Sequence, residues 1–106
     1  MSFHVDIVTP ESVVWSGDAT LLVARTVEGE IGILTDHEPL MAALATGVVV
    51  VEADGERITV GTHGGFLQVV DNQVTLLTDR AEMSEDRGQA LEAAYRLRDE
   101  LEEEVG

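Results

Sequence analysis

The chain has 106 residues, 44% hydrophobic and only 4% aromatic, with no cysteine and a formal net charge of -15 from 21 acids against six arginines. That length holds one modest domain and an appendage; the charge argues against a nucleic-acid groove or adsorption to anionic lipid. Without cysteine there is no disulfide framework and no thiolate metal site.

FHVDIVTP alternates Phe3, Val5 and Ile7 with His4 and Asp6, the period of a half-buried strand, and Pro10 ends it. His4 is read as an outward residue on an edge strand. ATLLVART, residues 19–26, is a more continuous apolar run and predicts a strand buried on both sides, or nearly so. GEIGILTDHEPL then carries Ile31, Ile33 and Leu34 straight into Asp36, His37 and Glu38 before Pro39. A histidine between two acids at the end of a strand fits a metal site, a catalytic pair or a docking loop. PLMAALATG, residues 39–47, is ambiguous: its alanines favour a helical turn or irregular crossover, while its position among strands allows a strand.

VVVVEADGERITV predicts a hairpin turned at Asp54-Gly55, because that pair tolerates the positive φ angles of a tight turn. FLQVVDNQVTLLTD predicts a second, turned at Asp71-Asn72, with GTHGG (61–65) as the bend between them. Many short strands with turn residues between them imply a mainly β fold, an antiparallel sandwich or flattened barrel.

At Met83 the period changes. Ser84 is read as an N-cap with Glu85 and Asp86 in the first turn. Ala90, Ala94, Leu97, Leu101 and Val105 recur at spacings of three and four, with Leu91 widening the stripe, so an amphipathic helix follows. Glu92 and Arg96 stand as an i,i+4 pair. Gly88 costs the helix about 1 kcal/mol relative to alanine. The acids from Asp99 to Glu104 oppose the helix dipole and predict a frayed last turn. Such a helix needs a docking surface. The expected organisation is a β-sandwich over 1–82 and a C-terminal α-helix over 83–106.

The three histidines, His4, His37 and His63, fall in three different elements without ligand spacing. A metal-dependent small-barrel enzyme would need His37 and His63 to converge with Asp36 or Glu38, and His63 reads more simply as a turn residue. Ser2, Ser12, Ser16 and Ser84 lie at a terminus, in turns or at a cap, with no nucleophile elbow around them. Gly61, Gly64 and Gly65 do not open a helix, so they form no phosphate cradle. No catalytic residue, cofactor or metal is expected. No leader opens the chain and no apolar run approaches the roughly 20 residues that span a bilayer, so membrane contact is expected only through another protein. A binding surface remains, and a free-standing acidic adaptor module is one form of it.

GEIGILTDHEPLMAAL, with WSGDAT before it and HGGFLQVVDNQVTLLTDRAE after it, resembles the epsilon subunit of F-type ATP synthases (delta in mitochondrial naming) over about residues 3–82. The resemblance implies a non-catalytic rotor part in the central stalk, at the cytoplasmic face of the bacterial plasma membrane. There it grips the gamma subunit, stands on the c ring, and couples proton translocation to ATP synthesis in the alpha/beta head. It places Glu30, Ile31, Gly32, Leu34, Asp36, His37 and Glu38 in a loop facing the c ring. Gamma contact would fall to the hydrophobic edge of the sandwich and the helix stripe. Relatives commonly carry a two-helix hairpin that inhibits ATP hydrolysis; with one helix before Gly106, a truncated hairpin is expected. EDRGQA keeps Asp86 and Ala90 of the family's nucleotide motif but has Glu85 and Gln89 at its apolar and arginine positions. This departure predicts no high-affinity nucleotide site.

Overall fold

The structure, a computed structural model, describes residues 1–105. Ten strands precede one helix: β1 (Phe3–Val8), β2 (Val13–Ala19), β3 (Leu21–Thr26), β4 (Gly29–Ile33), β5 (Leu40–Ala43), β6 (Gly47–Ala53), β7 (Glu56–His63), β8 (Phe66–Val70), β9 (Gln73–Leu77), β10 (Arg80–Ser84) and α1 (Arg87–Val105). They form two five-stranded sheets, the first in the order β2-β1-β9-β8-β5 and the second β10-β7-β6-β3-β4. Pairing is antiparallel throughout except between β1 and β9, which run parallel. Period-two alternation turns Val5, Ile7, Leu22, Ile33, Val49, Val51, Val60, Leu67 and Leu76 into a fully buried aliphatic core between the sheets. The amides of Val27 and Ala45 donate to the carbonyls of Ala43 and Arg25, each at 3.0 Å, and lace one side of the sandwich shut.

Both expected hairpins are present. Asp54 and Gly55 (φ 49° and 76°) join β6 to β7, and Asp71 and Asn72 (φ 47° and 61°) join β8 to β9. Two residues with positive φ give the turn whose twist matches the strands, and Asp and Asn tolerate that region. Strand β7 extends to His63, so the bend of GTHGG contracts to Gly64 and Gly65.

Two strand readings need correction, and one left open is settled. β3 is not buried on both sides: Leu22, Ala24 and Thr26 point inward, while Arg25 is exposed. The helix packs on β6, β7 and β10 and leaves that part of the sheet uncovered. PLMAALATG contains strand β5, because antiparallel pairing with β8 satisfies its backbone and overrides alanine's helical preference. β1 lies between β2 and β9, so His4 faces outward from an interior strand, not an edge.

The helix begins later than expected. Ser84 is the last residue of β10, paired with Thr59, and the N-cap is Asp86, whose Oδ1 accepts the Gln89 amide at 2.9 Å. The buried stripe is Ala90, Ala93, Ala94 and Leu97; Leu91 is exposed. The helix continues to Val105 through the acidic segment where fraying was expected; the side chains of Glu104 and Val105, and Gly106, lie outside the described residues. Arg96 pairs with Glu82 on β10 and Glu100 on the helix, not with Glu92. The stripe lies on the second sheet at Gly61, where a Cβ atom would stand 2.2 Å from the Ala90 carbonyl oxygen. Consumed there, the stripe offers nothing to a partner in this conformation.

Candidate docking surface

The outer face of the first sheet carries no helix. Strand register sets Ala43 beside Phe66, Phe66 beside Leu77, Leu77 beside Val8, and Val8 across from Val13. The result is an apolar row crossing all five strands, with Phe66 54%, Leu77 55% and Val13 63% exposed. Met41, 65% exposed, sits one step along β5 in the next outward row, opposite Gln68. Side chains of this kind left in water mark a surface that gains by being covered.

The other end of the same face is polar and tied together. His4 Nδ1 lies 3.0 Å from Asp18 Oδ1, and His4 Nε2 lies 3.2 Å from Asp6 Oδ1. Ser16 donates to Asp6 Oδ1 at 2.6 Å, and Gln73 Nε2 donates to Asp6 Oδ2 at 3.0 Å. Ser16 Oγ also stands 3.3 Å from His4 Nε2, so serine, histidine and Asp18 fall in the order of a nucleophile, a base and an orienting acid. The charges are wrong for that chemistry. Both ring nitrogens face carboxylates, which calls for the imidazolium with two N–H donors, and the Ser16 proton is committed to Asp6. The hydrogen bond to Asp18 is the main influence raising His4 above the ordinary imidazole range, with Asp6 adding to it against some desolvation. Asp6 is held below the ordinary carboxylate range, chiefly by the Ser16 hydrogen bond and then by Gln73 and His4.

The segment from Glu30 to Glu38 lies at the β4 edge and the loop beyond it. Glu30, Gly32 and Leu34 are exposed, whereas Ile31 packs against the core. A Cβ atom on Gly32 would meet nothing within 4 Å, so that backbone is open to a close approach. The loop is held by Asn72: the Asp36 amide donates to Asn72 Oδ1 at 2.7 Å, and Asn72 Nδ2 donates to Asp36 Oδ1 at 2.8 Å. Asp36 takes a φ of 65° to do so. His37 Nδ1 donates to the Glu38 carbonyl at 2.7 Å. Among the described residues, no three His, Asp or Glu side chains converge as metal ligands, and His63 is engaged by Thr46 at 2.8 Å. No described helix is long and apolar enough to cross a membrane.

Sequence reasoning placed the loop but missed Asn72, which fixes it, and the apolar row. The signal for the row was present: FLQVV puts Leu67 and Val69 inward, yet Phe66 and Val70, at the outward parity, are also apolar.

Comparison with known proteins places these features in context. The family described as "ATP synthase, Delta/Epsilon chain, beta-sandwich domain" matches residues 2–84. The ATP synthase epsilon chain of Streptomyces avermitilis is 43% identical over 84 residues, covering 78% of this chain and 68% of that protein. That of Rhodococcus opacus is 48% identical over 84 residues, covering 77% and 69%. A chain in the cryo-EM structure of the Euglena gracilis mitochondrial ATP synthase, OSCP/F1/c-ring in rotational state 1, superposes with a TM-score of 0.74 at 25% identity, covering 92% of this chain and 64% of that one. A chain of the Tetrahymena thermophila mitochondrial ATP synthase central stalk and c ring shares the fold, with a TM-score of 0.64 at 18% identity, covering 74% and 64%. The chain therefore spans just under two thirds of the length of each of these two structural relatives.

Proposed function

Because the chain belongs to the delta/epsilon family of ATP synthase subunits, whose epsilon chains are non-catalytic, we propose that it is a rotor part of the central stalk. The outer face of the first sheet docks on gamma, and the β4 edge with its loop faces the c ring. The alpha/beta head supplies the catalysis, so the chain works peripherally, at the cytoplasmic face of the bacterial plasma membrane. The two-sheet body through β10 acts as the rigid body, and α1 is an appended helix.

The observation that carries this reading is the uncovered apolar row of Ala43, Phe66, Leu77, Val8 and Val13. Burying such a row contributes roughly 25 cal/mol per Å² of apolar surface removed from water. The polar network beside it supplies a rim that fixes register more than affinity. Glu30, Gly32, Leu34, Asp36, His37 and Glu38 make the ring contacts, with the inward Ile31 setting the strand under them. No bond is made or broken in this role. Rotation of the ring passes through a stiff two-sheet body to gamma, and proton translocation is thereby coupled to ATP synthesis elsewhere.

The test is co-elution of the full chain with an assembled α, β and γ head on a sizing column. Stoichiometric co-elution is expected; a chain that runs alone at micromolar concentration would overturn the proposal. A crosslinker placed by His37→Cys is then expected to capture the c subunit.

A further inference from the structure

All six arginines of the chain lie in the second sheet or in α1. The five strands of the first sheet hold three ionisable side chains, His4, Asp6 and Asp18, and no permanent cation. Register gathers the three at one corner of the bare face, with His4 directly opposite Asp18 and Asp6 opposite Ser16. Two carboxylates stand against one imidazole there, so the corner is negative whether or not the ring carries its second proton.

The two carboxylates are placed for different work. Asp6 is saturated: Ser16 and His4 engage Oδ1, and Gln73 engages Oδ2, so its role is to hold the ring. Asp18, on the edge strand β2, is 74% exposed and commits only Oδ1, which lies 3.0 Å from His4 Nδ1. Its Oδ2 makes no hydrogen bond or ion pair among the described residues. A chain of contacts from β9 through β1 to β2 thus fixes one carboxylate and leaves one of its oxygens open to the outside. Holding that group in advance lowers the ordering cost of any contact made with it.

We propose, resting on the reading of this face as the gamma-docking surface, that Asp18 is the charged anchor of the contact and receives an arginine or lysine side chain of gamma. Four steps along β1 separate His4 from Val8 in the apolar row, about 13 Å at the rise of an extended strand. The complementary surface therefore carries a cation about that far from the apolar recess that takes Phe66 and Leu77. Elsewhere on the face a covered cation finds no carboxylate. The anchor thereby also excludes the reversed orientation, which would lay that cation on the apolar row without a partner.

Association of the full chain with an assembled α, β and γ head, followed at low and at physiological salt, provides the test. Asp18→Asn keeps an oxygen for the His4 bond but removes the charge. It should retain near wild-type thermal stability, associate more slowly, bind about fivefold more weakly and show a shallower salt dependence. Asp18→Lys sets like charges together and should weaken binding further. Glu56→Gln removes the same charge from the exposed start of β7 in the second sheet, and should leave affinity and salt dependence unchanged. Equal effects of Asp18→Asn and Glu56→Gln would reduce the result to overall charge and overturn the proposal. So would wild-type binding of Asp18→Asn beside weakened binding of Phe66→Ser/Leu77→Ser, an outcome that leaves the docking reading intact. If neither of these two variants binds more weakly, the anchor and the docking face are overturned together.

Discussion

The two sheets turn opposite kinds of surface outward. On the second, Gly61 meets Ala90 and Ala94 of α1, and the pieces are small enough for helix and sheet to come nearly into backbone contact. On the first, Phe66, Leu77 and Val13 stand out from the sheet with no element of the described chain over them. Close approach needs small residues on both sides, so a helix of the same chain settles where glycine admits it. Large projecting side chains beside a polar network instead suit a partner that brings its own recesses.

Breaking the covered face should have the largest effect on stability. Gly61→Val places side-chain carbon where the Ala90 carbonyl lies, and should lift the helix at a cost of about 3 kcal/mol. Urea denaturation measures this, and wild-type stability would show that the helix does not sit so close. Asp86→Ala removes the N-cap while leaving the packed stripe intact, and should cost about 1 kcal/mol by thermal unfolding. On the bare face, Phe66→Ser should change stability by no more than about 0.5 kcal/mol, since little packing is lost. A larger loss would mean that Phe66 supports the fold.

The smallest expected effect is the pH dependence of the polar network. His4 is raised in the folded chain, so its contribution is complete below the unfolded imidazole value of about 6.5 and is lost as pH rises through the folded value. Asp6 is lowered, so its contribution is present above the unfolded carboxylate value of about 3.9 and is lost as pH falls through the folded value. Both contribute fully between those two unfolded values. In an NMR titration, the His4 ring should show a midpoint above that of the urea-unfolded chain; a midpoint at or below it would contradict the two-carboxylate geometry. His4→Gln should flatten the alkaline side of the stability profile.

Much of the fold was legible because its signals are local. Asp54-Gly55 and Asp71-Asn72 announce hairpins within two residues, and Phe3, Val5 and Ile7 declare their buried face by alternation alone. PLMAALATG was ambiguous because its alanines and leucines serve either period, and only pairing with β8 decides. Ser84 and Asp86 are both good caps; extension of β10 along β7 to Ser84 assigns the role to Asp86. The proposed docking surface was least legible. Asp36 and Asn72 are 36 positions apart, and the apolar row draws on residues from Val8 to Leu77, which become neighbours only once the register is known. The loop from Glu30 to Glu38 was found through family resemblance, not through local chemistry.

The central claim, that the bare face of the first sheet docks on the stalk, is tested most directly by the affinity of a Phe66→Ser/Leu77→Ser variant for the α, β and γ head. The account predicts wild-type thermal stability with binding weakened at least about thirtyfold, the effect of losing roughly 2 kcal/mol at an interface hot spot. Wild-type affinity in a folded double variant would contradict it and move the gamma contact off this face.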